Sequence, residues 1–342
     1  MNRATLAHDF IKSSARVPWK TFVLEAHAEG DSAALLEDAF GSAAIQDTDD
    51  IHMHELAGDV RFVVDHLDER FWSLHTSAPT SAAFPLLKAT VEARRDLDWM
   101  WLPSDHLRNV WPGASLGWVT SDFQGRRLLP PAERVQELHV ELRGHAAPEL
   151  LRLIERDYRD AVSFDRVAVA VSDEDLGSVE EAVNRAGRFV AKGDSFEFHQ
   201  TIVRHIVERY RRFVEAVEGN ALQWAELAKG GARLSGRPLL IRFSRPIPDF
   251  GLFLDQLFSS REPFRLWGVP EQTGPETAEV EAVDLHVGQV LRFDITPRWM
   301  RVYLFAGGCG NSVARLASNL QHHFDGALSL VDPQIDALLT LA

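Results

Sequence analysis

Apolar and polar positions alternate along this chain with two different periods. Residues 19–26 (WKTFVLEA) form a short, mostly apolar run, which predicts a buried strand. Residues 32–40 follow at helical spacing, with Asp31 placed to cap them. Residues 60–76 (VRFVVDHLDERFWSLHT) read as two short strands joined by a tight turn, and residues 290–305 (VLRFDITPRWMRVYLF) read the same way. An aromatic opens the second strand of each pair, Phe71-Trp72 in one and Trp299 in the other. A small-residue loop, an amphipathic stretch and an apolar strand follow in both places. The pattern predicts a hairpin–helix–strand unit that occurs twice.

Other segments fill in the same alternation. Helices are expected over 1–15, 80–95, 104–110, 148–161, 176–186, 249–258 and 311–324, and the longest over 196–218. In the longest, Phe198, Ile202, Ile206, Tyr210, Phe213 and Val217 make the apolar stripe. Strands are expected over 97–102, 116–123, 137–142, 166–171, 188–191, 239–243, 264–267 and 327–331. The run 137–171 reads as a β-α-β unit, 221–228 looks helical, and 270–280 reads as a polar loop. These elements predict an α+β fold with mixed or largely antiparallel sheets covered by helices. Pro130-Pro131 opposes both helix and central strand, and glycines punctuate 219–236. The expected domains are therefore 1–130, 131–234 and 235–342, the last able to pack with the first.

Composition narrows the class. Of 342 residues, 45% are apolar and 25% charged, as in ordinary globular proteins. Cys309 is the single cysteine, so no intramolecular disulfide can form, which fits a reducing cytoplasm. No apolar run is long enough for a membrane span, and the first residues do not resemble a signal peptide. The expectation is a soluble cytoplasmic protein. The net charge of −14 is concentrated: thirteen acids and one strong base, Arg61, fall within 24–69. That field repels phosphate backbones, so nucleic acid is the less favoured partner and a protein with a basic surface the more favoured one.

Three segments offer chemistry. In DTDDIHMHE, an extended backbone points His52 and His54 to one side, and Asp49 and Glu55 could complete a divalent-metal shell. The turn Gly307, Gly308, Cys309, Gly310, Asn311, Ser312 precedes a helix, where free amides attract anions and a thiol is activated. Its spacing is neither the P-loop nor the dinucleotide fingerprint. His199 and His205 lie six residues apart on the long helix, about 120° around its axis, so they do not face one site. Trp99, Trp101, Trp111 and Trp118 are read as core or domain packing rather than a base-stacking platform.

These features support three readings. The first is a binding or assembly protein, a subunit of a multi-protein system acting through its acidic N-terminal surface. The second is a hydrolase or transferase on an anionic or phosphorylated substrate, using the turn at 306–312 or a metal at 47–55. The third is nucleic-acid binding through exposed sheet faces. The sequence leaves open whether the protein is an enzyme and which cofactor, if any, it holds, a divalent metal being the candidate.

Overall fold

The strand Trp19–Ala26 is buried at every position, and a strand so placed must find hydrogen-bond partners on both edges. The structure, a computed structural model, describes residues 2–14, 17–28, 30–226, 231–332, 334–335 and 338. One edge of Trp19–Ala26 pairs with Phe71–Thr76. The other pairs with Arg188–Gly193 over its first half and with Leu97–Trp99 over its second. Beyond Phe71–Thr76 the sheet continues through Phe62–Asp65, Met53–Leu56 and Ile45–Asp47. In the other direction it continues through Gly177–Asn184 and Phe164–Asp173. These pairs are all antiparallel, and helices lie over the sheet, as the α+β reading requires.

The chain divides into two compact units. The first comprises residues 1–100, 110–117 and 166–207, and the second 101–109, 118–165 and 208–342. In the first, helix Arg3–Ser14 buries Leu6 and Phe10, four residues apart and so on one face. The Phe10 ring meets Trp19 at 5.9 Å and Phe196 at 5.5 Å. Helix Phe196–Gly219 begins here. The Ser195 hydroxyl accepts the Phe198 N–H and caps it, and Phe198, Ile202 and Ile206 are buried.

The second unit is built around Leu239–Arg242, which pairs with Trp299–Leu304 and with Ser329–Val331. Val290–Thr296 joins Trp299–Leu304 to Thr277–Asp284. Phe243, Phe253 and Phe324 form a ring cluster with centroids 4.9 to 6.0 Å apart. Helix Asn311–His323 is buried from Asn311 through His322, polar side chains included. Helix Phe250–Leu257 starts where Asp249 accepts the Leu252 N–H.

Both units share a connectivity. In each, a hairpin's second strand pairs with an earlier strand, a helix follows, and the next strand pairs with that same earlier strand. This is likeness of topology, and descent from one ancestor is a separate matter.

Three local readings are overturned. Residues 176–186 hold the strand Gly177–Asn184, not a helix. The Glu-Glu-Ala run favours a helix, but the ladder on both edges and the burial of Val179, Glu181 and Val183 at period two override that preference. Gln223–Glu226 is likewise a strand, paired with Ala232–Ser235, and Glu271–Gly274 forms a hairpin with Thr277–Asp284. The run 137–171 forms strand Glu137–Arg143, helix Ala147–Tyr158 and strand Phe164–Asp173 in that order. Glu137–Arg143 pairs with Leu116–Gln124 and Phe164–Asp173 with Gly177–Asn184, each antiparallel.

Phe253 is fully buried in its ring cluster, whereas Trp224 is 73% exposed. Phe253→Ala should cost about 3–5 kcal/mol in denaturant unfolding. Trp224→Ala should stay within about 0.5 kcal/mol.

Candidate active site

The first unit encloses a chain of polar side chains that sequence reading did not assemble. Thr21 stands directly opposite His75 on the neighbouring strand. Two strands away on the other side lies Glu181, whose partner in register is Ala191. Cross-strand partners share a face, and Trp19, Ala191 and Glu181 form one row across the sheet. Ala191 carries only a methyl, which leaves room above it. Helix Phe196–Gly219 places His199 between Thr21 and Glu181.

The bonds run in sequence. Thr21 Oγ1 is 2.9 Å from His75 Nδ1 and 2.8 Å from His199 Nε2. His199 Nδ1 is 2.6 Å from Glu181 Oε2. At the other end, Gln200 Nε2 is 3.2 Å from His75 Nε2, and Arg204 donates to Gln200 Oε1 at 3.0 Å. Thr21, Glu181 and His199 are wholly buried, and His75 nearly so.

Direction follows from the outer end. Arg204 can only donate, so Gln200 Oε1 is the acceptor and its NH2 faces His75. His75 Nε2 therefore accepts, and its proton sits on Nδ1. His75 then donates to Thr21, Thr21 to His199, and His199 to the Glu181 carboxylate. Each group gives one proton and takes one, and the opposite order would set the Gln200 NH2 against an N–H. Phe10 stacks on the His199 ring at 5.7 Å, and Phe196 meets the His75 ring edge to face at 5.5 Å.

Burial sets the ionisation. The His75 imidazole is pulled down to about 3, first by desolvation and then by His199 beside it. Burial pushes Glu181 above the usual carboxylate range, against the attraction of His199.

A cavity of about 320 Å³ reaches this chain at His75. Trp19, Val63, Thr76 and Ser77 also line it, with Asp9, Lys12, Ser13 and Arg61 bringing polar and charged groups. Lys20 is buried nearby and donates to the Ser77 carbonyl at 3.3 Å.

The model of the family described as MJECL33-like protein matches residues 12–339, so the match runs through both units. The chain belongs to the MJECL33-like protein family. A curated relative, the uncharacterized protein MJECL33 of Methanocaldococcus jannaschii, is 25% identical over 350 residues. That alignment covers 90% of this chain and 84% of the relative. No solved structure matches. Among the described residues of this family member, no helix is long and apolar enough to cross a membrane.

The sites read from sequence fall elsewhere. At the glycine turn, the Cys309 N–H donates to Gln289 Oε1 at 2.6 Å, and Gln289 Nε2 donates back to the Cys309 carbonyl at 3.1 Å. The Gly310 N–H donates to Glu218 at 2.8 Å, so a carboxylate of the chain itself stands where a bound anion would. Asn311 accepts the Tyr210 hydroxyl, and Ser312 donates to Asp284 at 2.6 Å. A Cβ on Gly310 would stand 2.4 Å from the Val214 carbonyl oxygen, so this position needs glycine for space. A ligand here would have to use the cavity bordered by Gln289, Val290, Phe305, Ala306, Gly307 and Gly308.

In the acidic segment, His54 meets His66, with Nδ1 and Nε2 3.0 Å apart, and the His52 ring lies 5.9 Å from that of His66 between centroids. Glu55 instead pairs with Arg61 at 2.8 Å, and Asp49 is exposed in the bend before the strand. His205 packs on Trp111 at 5.3 Å, apart from His199. Thr21, Gln200 and Glu181 escaped notice for separate reasons. Thr21 lies in an apolar strand, and Glu181 in a run that reads as helical surface. The one available signal was a charged residue at the buried register between Val179 and Val183.

The neutral burial of His75 has a signed consequence. Unfolded, the ring titrates near 6.5; folded, near 3. Between those values the unfolded state binds the extra proton, so stability falls as pH drops from 6.5 toward 3. The slope from this group is up to about 1.4 kcal/mol per pH unit. Glu181, with its raised value, contributes with the opposite sign above the ordinary carboxylate range. Denaturant unfolding between pH 6.5 and 4 should show a shallower slope in His75→Gln than in the wild type. Equal slopes would refute the neutral burial of His75.

Proposed function

We propose that this protein is an enzyme, a hydrolase or transferase for a small anionic substrate, working in the cavity of the first unit. One observation carries the reading: the oriented chain Gln200–His75–Thr21–His199–Glu181 meets that cavity at His75. A hydroxyl bonded to an imidazole whose other nitrogen faces a carboxylate is the arrangement that moves protons in nucleophilic catalysis. Here a second imidazole extends it to the cavity wall.

The low basicity of His75 does not obstruct this role. A water or hydroxyl entering the cavity displaces the long Gln200 contact and gives its proton to His75 Nε2. His75 passes its Nδ1 proton to Thr21, and Thr21 passes its own to His199. The positive charge comes to rest on His199, where Glu181 stabilises it, and His75 is neutral again. The freed oxygen forms its bond to the electrophilic centre of the substrate. As the leaving group departs with the electron pair of the broken bond, the proton returns along the same chain. On the cavity wall Arg61 is paired with Glu55, and Lys12 is the cation that favours a negatively charged substrate.

The binding reading has weaker support. Among the acids of 24–69, Glu25 pairs with Arg70, Asp38 with Arg94, Glu55 with Arg61, and Asp50 and Asp65 with Arg3. Asp31 caps a helix, and Asp68 accepts the N–H groups of Arg70 and Phe71. Much of the field a basic partner would meet is spent within the chain.

The test compares wild type with Thr21→Val, which keeps the shape and deletes the hydroxyl. With nitrophenyl phosphates and nitrophenyl carboxylic esters bearing a second carboxylate, kcat should fall by about 10²–10⁴-fold in the variant. Thermal melting in parallel confirms that it is folded. Equal turnover by the two proteins sinks the relay.

A further inference from the structure

The acidic segment holds a second cluster that the relay does not use. Met53–Leu56 and Phe62–Asp65 pair antiparallel, with His54 opposite Val64. His66 follows the second strand directly and donates its N–H to the His52 carbonyl at 2.9 Å, which holds the two turns together. The imidazoles of His54 and His66 stack with centroids 5.1 Å apart and planes inclined at 22°. Their facing nitrogens, His54 Nδ1 and His66 Nε2, are 3.0 Å apart. Two nitrogens bound to one tetrahedral ion at its usual 2.0–2.1 Å bond lengths lie about 3.3 Å apart. The pair is thus already close to ligand spacing, sharing a proton where an ion would fit.

We propose that His54 Nδ1 and His66 Nε2 bind a borderline divalent transition metal such as zinc. One further observation favours this. Asp47 Oδ1 lies 3.5 Å from His54 Nε2, the nitrogen turned away from His66. A carboxylate behind a ligating imidazole fixes its tautomer and raises its basicity. Glu55, directed to Arg61, is left out of the shell, and His66 takes the place that sequence reading gave to a carboxylate. The inference stands apart from the relay, which lies around His75.

Titration of tag-free, full-length protein with zinc by calorimetry, and with cobalt by visible absorption, tests it. One equivalent should bind, with d–d bands of a nitrogen-rich cobalt site. His54→Gln and His66→Gln should each abolish binding, while His139→Gln, at an exposed histidine, should not change it. Asp47 is 96% exposed, so Asp47→Asn leaves the fold intact and should weaken binding about 10–100-fold. No stoichiometric binding by the wild type, or wild-type affinity in His54→Gln and Asp47→Asn, overturns the proposal.

Discussion

A buried polar group must find a partner, and in the first unit that requirement falls on a threonine, two histidines and a glutamate at once. Leaving any of these hydrogen-bonding groups unmatched inside the core would cost about 1–3 kcal/mol. The sheet meets the requirement by register. Thr21 faces His75 directly, and Glu181 lies in the row of Trp19 and Ala191. The covering helix closes the remaining gap with His199. A slip of one residue in any of these strands would turn a polar side chain to the opposite face and leave its partners unmatched.

The same constraint fixes the direction of the network. Arg204 is a donor with no alternative role, and its contact with Gln200 is transmitted inward one proton at a time. An exposed arginine within helix Phe196–Gly219 thereby selects the tautomers of two buried histidines. Packing supports the arrangement, since Phe10 and Phe196 hold both rings in place. Oriented donors and acceptors in a buried site interact more strongly than in water, which favours one arrangement of the network.

The second unit handles buried polarity differently. Arg315 and Ser312 converge on Asp284, and Glu218 and Gln289 satisfy the amides before helix Asn311–His323. Here the polar groups lock a turn and a buried helix into place. This explains why a glycine-rich turn that resembles a ligand site in sequence is, in three dimensions, largely occupied by the chain's own side chains.

Periodicity in the sequence determined where many elements lie. Trp19–Ala26, the Asp31-capped helix and the stripe of helix Phe196–Gly219 are visible because local spacing alone reports them. Segments in which local preference and tertiary pairing disagree were misread, and Gly177–Asn184 is the instructive case. Its glutamates look like a solvated helix face until two neighbouring strands claim the backbone. The candidate site shares that fate. His52, His54 and His199 stood out as residues, but their partners His66, Thr21 and Glu181 come from other strands. Spacing along a chain reports one element at a time, whereas a network across strands exists only once register and burial have been set.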